Sequence, residues 1–124
     1  AHINDHHFHY GYFIQAAAAI EQFQPGWAAG WGPMVNLLVK DAANWDRTDT
    51  KFPFLRNFHP YAGHSFAAGM LINEPHGNNQ ESSSEAMNFN AALIHWGQLT
   101  GNDAIRDLGI YLYTTEQTAV EEYW

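Results

Sequence analysis

Four stretches of the chain carry apolar residues at intervals of three and four, the period of a helix with one face turned inward. From Tyr12 the positions are Phe13, Ala16, Ile20 and Phe23, and Gln24-Pro25-Gly26 ends the run. A second helix is predicted to start at Pro33, a residue suited to a first helical turn, with Met34, Leu37, Leu38, Ala42 and Trp45 on one face. The third reads Ala86, Phe89, Leu93 and Trp96 and ends at Gly101. Asn102 then caps a fourth, with Ile105, Leu108, Leu112 and Ala119 inward.

Asp46 to Gln80 has no such period. It is rich in Gly, Pro, Asn and His, with room for one helical turn at Ser65–Leu71. Phe52, Phe54, Leu55, Phe58, Tyr61 and Phe66 are interleaved through it, and burying them offsets the entropy of ordering a long loop. The pattern predicts an all-α fold, two antiparallel helical hairpins joined by a long structured loop, with no strand alternation to set against it.

The 124 residues, 46% hydrophobic, suffice for one core and not for two domains. The chain starts on Ala, crowds polar groups into its first ten positions and stops on Val120-Glu121-Glu122-Tyr123-Trp124, which reads as a segment cut from a longer protein. Without cysteine it has neither disulfides nor thiolate metal ligands. A net charge of −8 repels nucleic acid, and no stretch has the length and apolarity of a membrane span. A neutral ligand fits this charge better. The five Trp, six Tyr and eight Phe can stack on sugar faces or fill a core.

Two clusters carry candidate chemistry. The first is Asn4-Asp5-His6-His7-Phe8-His9-Tyr10-Gly11-Tyr12-Phe13. Three histidines and a carboxylate invite a metal, but adjacent His6 and His7 diverge on any regular backbone and no His-Glu-x-x-His pattern is present. Asp5 can instead cap the first helix. It can also act as a general acid, because Phe8, Tyr10 and Tyr12 around it would desolvate the carboxyl and favour its neutral form, with His9 one turn on.

The second cluster is Gly77-Asn78-Asn79-Gln80-Glu81-Ser82-Ser83-Ser84-Glu85-Ala86-Met87-Asn88. Ser82-x-x-Glu85 before an apolar run matches a capping box, which gives Glu85 a structural role and puts Glu81 just outside a helix N-terminus. The positive potential there keeps a carboxylate ionised, as a general base requires. One carboxyl held neutral and one held anionic are what hydrolysis of a glycosidic bond needs.

These two stretches resemble the signature segments of glycoside hydrolase family 81, the endo-β-1,3-glucanases or laminarinases. Gly63-His64-Ser65 and Phe52-Pro53-x-x-Arg56 fit the same pattern, so the likeness runs from Asn4 to about Gly101. His59 and Phe66 depart from it, where Asp and Trp are usual.

The resemblance implies an inverting mechanism with Asp5 as acid, Glu81 or Glu85 as base and His9 in support. It implies sugar contacts from Tyr10, Tyr12, His64 and Asn79, a β-1,3-glucan partner, no metal and no organic cofactor. It also implies that residues 1–124 are part of an (α/α)6 toroid whose β-sandwich and connecting domains, and other missing parts of the parent chain, lie elsewhere. Such a parent would be secreted or associated with a cell wall. The other reading is a glucan-binding fragment without turnover.

Overall fold

The computed structural model describes the backbone of residues 6–51, 55, 58–59, 64–65 and 83–123, and the side chains of these apart from 6–8, 59, 64, 65, 83 and 123. Helix α1 spans His6–Phe23, α2 Trp27–Ala43, α3 Ser83–Thr100 and α4 Asp103–Tyr123. Strands β1 (Phe58–His59) and β2 (His64–Ser65) form a two-residue antiparallel ladder, pairing Phe58 with Ser65 and His59 with His64. The all-α expectation holds apart from this ladder. Ser65 belongs to β2 rather than to the helical turn expected at 65–71, and the rest of that turn lies outside the described residues.

The second hairpin follows its pattern closely. Ala86, Phe89, Leu93, Trp96, Ile105, Leu108, Leu112 and Ala119 are all buried. Gly101, at φ 69°, takes the left-handed conformation that ends α3, and Asn102 Oδ1 accepts the Ile105 amide at 3.1 Å to start α4. Gly97 and Gly109 let the two helices close up. A Cβ on Gly97 would meet the Arg106 nitrogen at 2.4 Å, and one on Gly109 would meet Ile94 at 2.8 Å. These contacts run in opposite senses along α3 and α4, so the hairpin is antiparallel.

The first hairpin departs from its expected faces. Helix α1 begins at His6, not Tyr12, and buries Ile14, Ala17 and Ala18, while Phe13 and Phe23 are 63% and 86% exposed and Ile20 40%. Helix α2 begins at Trp27 and runs through Pro33; Ala42 goes inward as expected, joined by Val35, Val39 and Ala43, Leu38 and Trp45 are half-buried, and Met34 and Leu37 point out. The expected faces followed the largest side chains. What α1 and α2 bury is mostly small, which lets them sit close to the core. The early start of α2 has its own cause: Glu21 on α1 accepts the Gly26 and Ala28 amides at 3.1 and 2.7 Å, supplying from across the turn the cap that Gly26 lacks.

Where the long connection leaves α2 it is tightly built. Buried Asn44 donates to the Asp46 carbonyl and accepts its amide, both at 3.1 Å, and the Asn44 carbonyl accepts the Leu55 amide at 3.0 Å. Leu55 is held at φ 47°, a left-handed strain of about 1–2 kcal/mol offset by its burial. Asp46 takes the Thr48 hydroxyl at 2.7 Å and its amide at 2.9 Å, and these bonds hold its carboxyl below the usual range. Phe58 packs edge-on against Tyr111 of α4. The described parts of the loop are packed and shaped, as its aromatic content predicts.

Candidate active site

Helices α1 and α3 lie side by side with their N-termini at the same end. Gly11 faces Asn88 and Phe89, whereas Glu21, ten residues on, shares a cleft with Leu99 and Thr100. This parallel packing brings the two chemistry-bearing stretches together. Tyr12 Oη donates to Glu85 Oε1 at 3.1 Å across a separation of 73 residues.

The register of α3 puts Glu85 in its first turn, three residues after Ser82, as the capping pattern requires. The hydrogen bond raises the Tyr12 phenol above its ordinary pKa of 10.0, the carboxylate charge adds to that, and slight desolvation contributes least. The phenol therefore remains a donor throughout the neutral range. Tyr12 itself is 56% exposed, so the pair sits on an open face that a chain ligand could reach.

The other expected site residues fall as follows. His9 is on α1 and exposed. Tyr10 is half-buried and packs against the core, with its ring turned partly inward. His64 is on β2, which packs on α4. Asp5, Asn79 and Glu81 lie outside the described residues; in the chain Asp5 immediately precedes α1 and Glu81 stands two positions before α3. Among the described residues no group of three or more His, Cys, Asp or Glu is placed to hold a metal.

Beneath this face are features that periodicity does not reveal. Glu116 of α4 is 1% exposed and accepts a hydrogen bond from buried Asn90 at 2.9 Å, tying α4 to α3 about one and a half turns from Glu85. The buried Asn88 Nδ2 has no hydrogen-bond partner among the described residues. A polar residue at an inward position was the one available signal, and Asn90 lies one position after Phe89 on the core face.

A cleft of about 400 Å³ opens at the other end of the molecule, between α2 and the α3–α4 turn. Its polar walls are already engaged: Glu21 by two amides, Asn36 by the Trp96 indole at 2.9 Å and Thr100 by the Trp96 carbonyl at 2.7 Å. Tyr12 and Glu85 lie at the opposite end.

The all-helical scaffold thus carries a Tyr–Glu hydrogen bond at the shared end of two parallel helices. The chain belongs to glycosyl hydrolase family 81, whose C-terminal domain profile matches residues 1–124. It is 64% identical over 124 residues to a glucan endo-1,3-beta-D-glucosidase of Acetivibrio thermocellus, covering 98% of this chain and 16% of that protein. It is 52% identical to one from Thermobifida fusca, again over 98% and 16%, and 38% identical to the primary septum glucan endo-1,3-beta-D-glucosidase of Schizosaccharomyces pombe, over 99% and 12%. A solved family 81 structure from Clostridium thermocellum, a glutamate-to-alanine mutant, superposes with a TM-score of 0.91 at 64% identity, covering 98% of this chain and 17% of that one. The chain thus spans about a sixth of the length of these bacterial relatives.

Proposed function

We propose that this chain supplies the acid and base of an endo-β-1,3-glucanase, an enzyme that cuts internal β-1,3-glucosidic bonds of laminarin-like glucans with inversion. It forms part of an (α/α)6 toroid completed by the rest of a longer parent chain, which works outside the cell or at its wall. The observation that carries this reading is the Tyr12–Glu85 hydrogen bond, which joins the two signature stretches at one end of two parallel helices.

In the reaction Asp5 protonates the departing glycosidic oxygen. Glu81 takes a proton from water as that water attacks the anomeric carbon from the opposite face, which calls for carboxyl groups ~6.5–9.5 Å apart. Glu81 is preferred over Glu85 as base because Glu85 already accepts the Tyr12 hydroxyl and occupies a capping position in α3. His9 supports the acid, and His64, Asn79 and Tyr10 contact the glucan. The names of the relatives, all glucan endo-1,3-beta-D-glucosidases, support the substrate class.

The test is proton NMR of fresh laminarin digests by the full-length enzyme. Inversion requires the α-anomer to appear first, and β-anomer first rules it out. Laminarin binding with no release of reducing sugar would support a glucan-binding module instead.

A further inference from the structure

Gly11 is buried in the interior of α1, where glycine is a poorer helix former than alanine. Its place there is explained by α3. A Cβ at Gly11 would stand 3.0 Å from Phe89 Cα, 3.2 Å from Phe89 Cβ and 3.2 Å from Asn88 Nδ2. The first two of these atoms cannot rotate away. A methyl group would therefore act as a wedge between α1 and α3, parting them by a few tenths of an ångström.

The position of the wedge matters more than its size. Tyr12, the next residue, donates to Glu85, one turn before Phe89. In the chain Asp5 immediately precedes α1 and Glu81 stands two positions before α3. The spacing of α1 and α3 at Gly11 thus sets how far apart the Tyr12 and Glu85 flanks stand.

We infer that Gly11 is a positioning residue for the reaction: its missing side chain sets the separation of α1 and α3 on which the alignment of acid, water and base depends. The inference rests on the catalytic reading of Asp5 and Glu81 given above. Displacing reacting groups by about 1 Å costs on the order of 10²-fold in rate, so a shift of a few tenths should cost about tenfold.

The experiment compares Gly11→Ala with Ile105→Val in the full-length enzyme, measuring kcat and KM on laminarin together with thermal melting. Ile105 is fully buried in the first turn of α4, at the far end from Glu85, so trimming it lowers stability without touching the α1–α3 spacing. Gly11→Ala should lower kcat about tenfold with KM within about twofold, while Ile105→Val keeps kcat below its melting temperature. Unchanged kcat in Gly11→Ala, a change in KM alone, an equal kcat loss in Ile105→Val, or a Gly11→Ala protein unfolded at the assay temperature would each overturn the inference. Asp5→Asn and Glu81→Gln are assayed alongside: if both keep their turnover, the catalytic reading has failed and takes this inference with it, a result distinct from a silent Gly11→Ala in an enzyme those two changes disable.

Discussion

The two hairpins reach similar lengths by different means. In α3–α4 the large side chains Trp96, Leu93, Ile105 and Leu112 are buried, Gly97 and Gly109 bring the backbones close, and the turn carries its own cap in Asn102. The α1–α2 hairpin turns Ile14, Ala17, Ala18, Val35 and Val39 inward and leaves Phe13, Phe23, Trp31, Met34 and Leu37 on its outer surface. One hairpin puts its large side chains into the core that all four helices share. The other leans on α3 through small residues and leaves its large ones outward. On the proposed reading a carboxylate from each flank makes the site, and neither hairpin alone would suffice.

The sharpest way to break that picture is to disable one flank at a time. Asp5→Asn and Glu81→Gln, each in the full-length enzyme, should lower laminarin turnover by roughly 10²–10⁴-fold with binding held within a few-fold. Normal turnover in Asp5→Asn alone would leave the second hairpin as the sole source of catalytic groups. With β-linked aryl glucosides of decreasing leaving-group pKa, the Asp5→Asn deficit should shrink, because a good leaving group needs no proton. A constant deficit would move the acid role to another residue.

Packing gives the next largest contrast. Leu93→Ala empties a fully buried site and should cost about 2–5 kcal/mol by urea unfolding of the 124-residue chain. Leu37→Ala, at a position 52% exposed, should cost under about 1 kcal/mol there. An equal cost for both would mean that the outer face of α2 is not open in this chain.

Caps come third. Glu21→Ala frees the Gly26 and Ala28 amides and should destabilise by about 1–2 kcal/mol, while Asn102→Ala removes one bond and should cost about 1 kcal/mol. If Glu21→Ala is neutral, the first hairpin does not depend on a cap supplied across its turn.

The smallest effect is electrostatic. Tyr12 should titrate above 10.0, and in Glu85→Gln, which removes the charge, its midpoint should fall back toward that value. A raised pKa contributes stability that is fully present below the ordinary value and lost as pH rises through the folded one, so nothing should change between pH 6 and roughly 9. Tyrosine-selective carbon NMR of the six Tyr would resolve it. A Tyr12 midpoint unmoved by Glu85→Gln would argue against the bond.

The sequence is most legible where size and burial coincide. Every inward position expected for α3 and α4 is buried, because there the helical period picks out the residues that pack and leaves Ile110 and Tyr111 outside it. In α1 and α2 that coincidence fails. Phe13 and Leu37 look like core by size, yet the close approach to α3 is made by Gly11 and the alanines, which periodicity by hydrophobicity passes over. Pro33 has the look of a helix start because its missing N–H usually marks one, and the remote Glu21 cap that moves the start to Trp27 leaves no local signal. At the site, motif resemblance singled out Tyr12 and Glu85 separately, and only the parallel alignment of α1 with α3 pairs them. Asn90 and Glu116 escaped because their link is between helices and neither carries a motif.

The pairing of Tyr12 with Glu85 across 73 residues also fixes when the site can exist during folding. Each helical hairpin closes through near neighbours, a fast event, whereas docking α1 on α3 must wait for the long connection of residues 44–82 to be drawn in. Helical circular dichroism should therefore return before catalytic competence in a refolding experiment. The segment's shape would be largely restored while its two halves were still out of register, making turnover a reporter of the last tertiary contact rather than of helix content.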